Sequence, residues 1–323
     1  MILIVGGNGF VGQHVGRYLL DTGHAVTVAT RGQAPLPRLL AGDIEAGKAN
    51  AVRLDVTDGF AVAEAVKNVR PSVIIDLAGY HPGALSPGRD VAFRTGSLTN
   101  ILEASRLFGV SRVVLMSSMD VYWGLPSEEA PFREDDRVPL LESGDHYIVQ
   151  SWAKKALEVI GNHYRQAYGI NIAFVRAGGI YGPLYRTYLN VPSRLVRAAV
   201  NGADALEGPH PAPFADEGYD QLYVKDMARA IGLVACATAL SHPVYNIGSG
   251  RAPRFGEFAE AVRAAVPGFA VDLPRRPAAS ERGTMDGRWM NIDRARSDLG
   301  FEPQWEPAAA MADYIGWVSA HGL

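Results

Sequence analysis

The chain reads as an α/β protein: a doubly wound parallel sheet with a smaller C-terminal cap. Three observations predict this. Short apolar runs alternate with helix-period segments through the first half, a glycine cluster stands between the first run and the first helix, and the alternation breaks up after about Tyr181. Strands buried on both faces lose the in–out alternation of a half-exposed sheet and become continuous Val/Ile/Leu runs. Repeated strand–helix–strand units need right-handed crossovers, which put helices on both faces.

The expected strands are ILIV (2–5), AVTVAT (25–30), AVRLD (51–55), SVIIDLA (72–78), RVVLMSS (112–118) and NIAFVRA (171–177). Between the first two lies FVGQHVGRYLLDTGH, with Val11, Val15, Tyr18 and Leu19 on one face and Gly23 as its C-cap. Beyond Tyr181 proline and glycine become frequent, as in EGPHPAPFADEG (207–218), and helices are expected to follow one another without alternating strands. This predicts a cap of irregular pieces rather than a linker-joined domain.

Composition excludes several classes. With 20% charged and 48% hydrophobic residues, the 323-residue chain has the balance of a folded soluble protein. A net charge of −3 argues against nucleic-acid binding, which needs a concentrated basic surface. ARAIGLVACATAL is too short to cross a bilayer, and the MILIV start lacks the basic flank of a signal peptide, so no membrane partner is expected. The single cysteine, Cys236, forms no internal disulfide and is expected to pack in that apolar stretch. A cytoplasmic protein is expected. The eight histidines show no HxH, HxxxH or CxxC spacing, so no metal is expected. The GSG at 248–250 has neither the context nor the histidine partner of a nucleophile elbow.

GGNGFVG (6–12) follows the first strand and opens the first helix. Gly6, Gly9 and Gly12 suit a tight turn, a close backbone approach to a pyrophosphate, and close helix–strand packing. Phe10 and Val11 then begin a helix whose free N–H groups and positive dipole end face the phosphates. The cofactor is therefore a nicotinamide dinucleotide, NADP or NAD, on a Rossmann-type sheet. At the end of the second strand an acidic residue would bind a ribose 2′-hydroxyl; Thr30-Arg31 stands there instead and favours the 2′-phosphate of NADP. Asp55, which ends the third strand in LDVTD beside Val56, is expected to accept from the adenine amino group. Residues 1–177 with 219–248 form the expected dinucleotide-binding domain, and 178–218 with 249–323 the substrate-binding cap.

The chain resembles the extended short-chain dehydrogenase/reductase family, the NAD-dependent epimerase/dehydratase group. The resemblance rests on GGNGFVG, LDVTD, DLAG (76–79), MSSMDVYWG (116–124), VRAGGIYGP (175–183), YVKDMARAI (223–231), YNIGSG (245–250) and IDRARSDLGFEPQW (292–305), in the family's order. It covers nearly the whole length and is far more specific for fold than for reaction. It implies that Leu77, Ala78 and Gly79 border the cofactor, that Ser118 holds the reacting oxygen, and that Lys154 binds the nicotinamide ribose. Glu158, four residues later, and the strand arginine Arg176 keep the family's spacing.

With Lys154 as anchor, the family's catalytic tyrosine falls on Gln150. A glutamine amide hydrogen-bonds a carbonyl but has no useful pKa, so it cannot serve as general acid or base. Tyr147 is a turn earlier, about 10 Å of helix rise from Lys154, and His146 is the other nearby titratable group. Asp120 stands where dehydratase members place an acidic base, but the preceding acid of that pair is Met119. His81 follows the fourth strand near the expected ribose. Arg94 replaces the family's usual asparagine and either repels Lys154 or grips an anionic substrate. Tyr219 replaces a phosphate-binding arginine of nucleotide-sugar members, while Arg275 and Arg276 keep the other arginine position. Tyr181 completes the expected substrate residues.

Trp152, Tyr164 and Tyr168 are expected in a core or a dimer interface. A homodimer through helices 91–108 and 150–168 is implied by the resemblance and by apolar residues on more than one face. Three functions remain open. The first is an NAD(P)-dependent epimerase, reductase or dehydratase acting on a small sugar-like substrate. The others are a non-redox lyase or isomerase that keeps the cofactor structurally, and a cofactor-binding regulator without turnover.

Overall fold

The computed structural model describes residues 1–32, 35–79, 84–140, 149–187, 189–202, 204, 213–277 and 285–322. Nine strands occur among them: β1 (Ile2–Val5), β2 (Val26–Thr30), β3 (Asn50–Arg53), β4 (Val73–Asp76), β5 (Arg112–Ser118), β6 (Ile172–Ala177), β7 (Gly179–Tyr181), β8 (Gln221–Tyr223) and β9 (Val244–Ile247). Seven make one parallel sheet in the order β3-β2-β1-β4-β5-β6-β9, and β7 and β8 pair as a separate ribbon. The apolar runs set this register: Ile4 stands beside Val28 and Ile75, and Ile75 beside Val114. The order reverses between β1 and β4, the switch point at which a doubly wound sheet opens a crevice beyond its strand ends.

Helices α1 (Phe10–Asp21), α2 (Ala41–Glu45), α3 (Gly59–Val69), α4 (Pro87–Phe108), α5 (Val149–Tyr168), α6 (Val191–Asn201), α7 (Val224–Cys236), α8 (Phe255–Ala265), α9 (Asp293–Leu299) and α10 (Pro307–His321) surround it. Val15 and Leu19 of α1 and Met227 and Ile231 of α7 cover one face of the sheet. Each such side chain removed from water contributes about 1.5–3 kcal/mol. Close approach of α1 to α7 needs Gly232, since a Cβ there would lie 2.4 Å from Cε1 of Tyr18. The opposite face is covered by Val62 and Val66 of α3, Leu98, Ile101 and Leu102 of α4, and Tyr164 of α5. A separate core joins α6, α8 and α10. Thr22 caps α1, and Gly23 follows it in the left-handed region at φ 83°.

Several expectations need correction. The chain beyond Tyr181 is not a plain succession of helices, because β8 and β9 lie within it. At three and four residues they are too short for a periodic signal. β3 stops at Arg53, so Asp55 lies in the following turn, where its carboxylate accepts from N–H and Oγ1 of Thr57 at 3.0 and 2.7 Å. Cys236 is exposed at the C-terminal end of α7 rather than packed, because the helix turns its last residue outward. Tyr164 is buried with its hydroxyl donating to Glu103 Oε1 at 2.7 Å, whereas Tyr168 is 53% exposed.

One buried carboxylate joins distant segments. Asp220, just before β8, is fully buried and accepts from Ser249 N–H (2.7 Å), Ser249 Oγ (2.9 Å) and Met290 N–H (3.2 Å). Gly248 must lack a side chain to permit this, since a Cβ there would meet Oδ2 of Asp220 at 2.2 Å.

Candidate active site

The glycine turn occupies the switch point. Gly6 has φ 76° and packs against the backbone after β4, where a Cβ would stand 2.7 Å from Leu77 O. A Cβ on Gly12 would lie 2.4 Å from Gly6 O, so Gly12 serves helix–strand packing. Gly9 differs: an added Cβ would meet only Gly6 O, at 3.1 Å, and otherwise points into open space. Gly9 is also the N-cap of α1, with no capping side chain and no acidic residue in the first turn. The amides and the positive helix end thus remain available to an anion, and these residues fit the pyrophosphate of a dinucleotide. Gln13, which the sequence reading did not single out, braces the turn by donating to Asn8 O (3.1 Å) and accepting from Leu39 N–H (3.1 Å).

From this turn a cleft of about 500 Å³ runs between Gly6–Gln13, Asp76–Gly79, Met116, Arg94, Gln150, Lys154 and the segment Leu184–Thr187. Gln150 and Lys154, one turn apart on α5, therefore face the same space as Gly9, Phe10 and Val11. Lys154 Nζ donates to Met116 O at 2.6 Å. Desolvation by the cleft walls holds its pKa below the usual lysine range, the attraction of Asp76 opposes this, and the charge of Arg94 adds to it. Arg94 donates through Nε to both oxygens of Asp90 at 2.9 Å, one turn earlier on α4. Asp76 is only 8% exposed and accepts from Ala78 N–H at 3.0 Å. Burial pushes its carboxyl up to about 6 against the opposing pull of that N–H and of Lys154. The sequence reading placed Asp76 inside the fourth strand and in the DLAG motif but gave it no role.

Helix α5 is held in place from beneath. Arg176 of β6 donates Nε to Glu158 Oε1 (2.9 Å) and Nη2 to Glu158 Oε2 (2.7 Å), and Ser117 Oγ donates to Oε1 at 2.6 Å. Arg176 Nη1 also donates to the hydroxyl of Tyr122 at 2.8 Å, whose pKa burial pushes up to about 12. Earlier on the same helix, Lys155 Nζ, one turn before Glu158, donates to Trp123 O, and Ser151 Oγ, two turns before it, donates to Asp120 O. Ser151 and Lys155 therefore clamp the turn MDVYWG directly and Glu158 does so through Arg176, while Lys154 is left to face the cleft.

Ser118 ends β5 and caps the short helical turn Met119–Tyr122; its Oγ accepts from Asp120 N–H at 3.2 Å and keeps its own O–H to donate. The charge of Asp120 reaches Lys154, Tyr219 and Arg288. Tyr219 is partly buried, edge-on to Phe255 at 5.9 Å. Tyr181, expected at the substrate, is instead 1% exposed in the cap core against Tyr223 and Phe258. Arg276 donates its backbone N–H to Asp216 at 2.9 Å. Thr30 is buried and Arg31 exposed, so of that pair Arg31 is the one that offers its side chain outward. Val56 is buried in the sheet core and its carbonyl accepts from Asn100. Tyr147, His146 and His81 lie outside the described residues.

A doubly wound sheet, a glycine turn at its switch point and a lysine-bearing helix across the cleft define a dinucleotide-dependent enzyme. The chain belongs to the NAD dependent epimerase/dehydratase family, whose model matches residues 2–248. It is 25% identical to a UDP-glucuronate 4-epimerase of Thermodesulfobacterium geofontis, over 98% of this chain and 95% of that protein. It is also 25% identical to a dTDP-4-dehydro-6-deoxy-D-allose reductase of a Streptomyces species, over 99% and 96%. Among solved structures it is similar to the UDP-glucose 4-epimerase of Thermotoga maritima with UDP-glucose, at TM-score 0.79, 22% identity and coverage of 98% and 97%. The Thermus thermophilus UDP-glucose 4-epimerase with NAD gives TM-score 0.74, 24% identity and coverage of 98% and 97%. These structural likenesses concern the fold. No described helix is long and apolar enough to cross a membrane.

Proposed function

We propose that this protein is an NAD(P)-dependent epimerase, reductase or dehydratase acting on a sugar or sugar-like hydroxylated substrate, with a proton-transfer group other than a tyrosine on α5. The relatives named above supply the substrate class. The observation that carries the rest is the shared cleft of Gly9, Lys154 and Gln150, with an amide where proton transfer needs a phenol. The bound dinucleotide supplies a hydride acceptor or donor. Lys154 binds a ribose hydroxyl, Ser118 donates to the reacting oxygen, and Gln150 orients the substrate without exchanging a proton. Among the described residues Asp120 is the candidate to move the proton. Arg94 and Gln150 together favour a second reading, a lyase or isomerase in which the cofactor stays unchanged.

The test is to identify the dinucleotide that co-purifies and to add UDP-glucose or UDP-glucuronate while following reduced-nicotinamide absorbance and the products. A sugar product formed with transient reduction supports the first reading. Turnover with no redox change supports the second, and a protein without bound or bindable dinucleotide refutes both. We further infer NADP over NAD from Arg31, a cytoplasmic setting from the lone thiol, and a homodimer through α4 and α5. Those helices expose Val91, Leu107, Phe108, Val159 and Tyr168. Light scattering that finds only monomer at micromolar concentration would remove the dimer.

A further inference from the structure

Two cations share the cleft with Asp76, and neither hydrogen-bonds to it. Lys154 donates to Met116 O at 2.6 Å, and Arg94 turns its Nε to both oxygens of Asp90 at 2.9 Å. Asp76 itself uses one oxygen, Oδ1, for Ala78 N–H at 3.0 Å. Its Oδ2 accepts from no described residue, yet it is not among the described polar atoms that packing seals from solvent. That oxygen therefore opens on the cleft, in a residue otherwise only 8% exposed. Asp76 and Lys154 attract one another, but no ion pair closes between them among the described residues. A dehydrated carboxylate with half its acceptor capacity unused wants a donor, and the ammonium across from it, with one donor engaged, wants an acceptor.

Few groups satisfy both. A phosphate or a carbonyl accepts from Lys154 but cannot donate to Asp76, and the carboxylate would repel a phosphate outright. A hydroxyl does both, and two neighbouring hydroxyls do so without either residue having to move. The glycine turn at one end of this cleft fits the pyrophosphate, and the next group of a dinucleotide towards Lys154 is a ribose with two adjacent hydroxyls. We propose that Asp76 is a ribose-positioning residue, its Oδ2 accepting from a hydroxyl of the nicotinamide ribose while Lys154 donates to the same diol. The residues that the resemblance implies beside the cofactor here, Leu77, Ala78, Gly79 and Lys154, do not include it. The carboxylate also sets the register of the ligand, since it keeps the pyrophosphate at the glycine turn. This inference rests on the dinucleotide-dependent reading above and deepens it.

The test is calorimetric and titrates the full chain with NAD, NADP, ADP-ribose and ADP, the last of which carries the pyrophosphate without the second ribose. Asp76→Asn should weaken the preferred dinucleotide and ADP-ribose about tenfold or more, and ADP by less than about twofold. The amide oxygen would take Ala78 N–H and leave an N–H donor facing Lys154. Asp76→Ala, which removes the acceptor without adding a donor, should show the same split and decides the matter if Asp76→Asn folds poorly. Equal losses for ADP-ribose and ADP, or no loss for either, would overturn the proposal. So would a loss confined to UDP-glucose titrated into the dinucleotide-saturated variant, which would place the hydroxyl on the substrate instead. Wild type that binds none of the four nucleotides would refute the broader enzymatic reading, and this inference with it.

Discussion

Glu158 on α5 and Arg176 on β6 meet in a two-point contact, 2.9 and 2.7 Å long, beneath the residue that faces the cleft. Their side chains are 14% and 5% exposed, so the pair is a buried one. It fixes the rotation of α5 and hence the direction of Lys154, one turn earlier. Glu158→Gln should cost about 3–5 kcal/mol in urea unfolding, the range for breaking a buried pair from one side. It should also lower kcat more than it weakens dinucleotide binding. A cost below about 1 kcal/mol would place the contact with surface pairs and remove its positioning role.

Two glycines of the same turn should behave differently. Gly9→Asp should abolish dinucleotide binding by calorimetry while leaving the unfolding midpoint nearly unchanged, because its side chain enters open space and sets a negative charge at the helix N-terminus. Gly12→Ala should instead damage folding, since its Cβ would lie 2.4 Å from Gly6 O. Normal cofactor affinity in Gly9→Asp would sink the proposed site.

Arg31→Asp should weaken NADPH more than NADH, as a phosphate partner becomes a like charge. Equal losses for the two cofactors would show the arginine to be merely solvated.

Gln150→Tyr tests whether the amide is an adaptation. The new phenol would stand one turn from Lys154 in the same cleft, where that ammonium would favour its ionised form. We expect native turnover to fall, because a rigid ring would fill space the amide leaves to substrate. A variant faster than wild type on its own substrate would show the site to be a tyrosine site lacking its tyrosine.

Asp76 gives a pH dependence. Its folded pKa, about 6, lies above its ordinary value of 3.8, so its contribution to stability is complete below pH 3.8 and is lost as pH rises through 6. Asp76→Asn has no such loss. Its stability relative to wild type should therefore rise between about pH 4 and 6, by on the order of 1–3 kcal/mol, and then level off. A difference independent of pH in urea titrations would mean that the carboxyl ionises normally.

The strand runs, the glycine turn and the Gln150–Lys154 spacing were legible because each depends on residues close in sequence: period, turn chemistry and one helical turn. Asp76 was not, since its state depends on β1 and β5 enclosing it from either side. Arg194 looks ordinary in the sequence, and only the packing around it leaves its Nε and Nη1 without partners among the described residues. Thr30 and Val56 were placed at the cofactor by position along the chain, while the sheet core decided their burial. The strands β7 to β9 escaped notice because three or four residues carry no period.

The hold of Asp220 on Ser249 and Met290 bears on where this protein can be cut. The match to the family model ends at residue 248, yet both partners of that carboxylate lie beyond it. Arg288 likewise donates to Leu125 O and Tyr122 O, in the turn that α5 clamps. A fragment trimmed to the recognisable pattern would thus strand a buried charge and unbrace the turn after β5. For expression, for fusion to another protein or for exchange of caps between relatives, the smallest workable piece extends past Met290, and the edge of a sequence signature is a poor guide to a safe splice point.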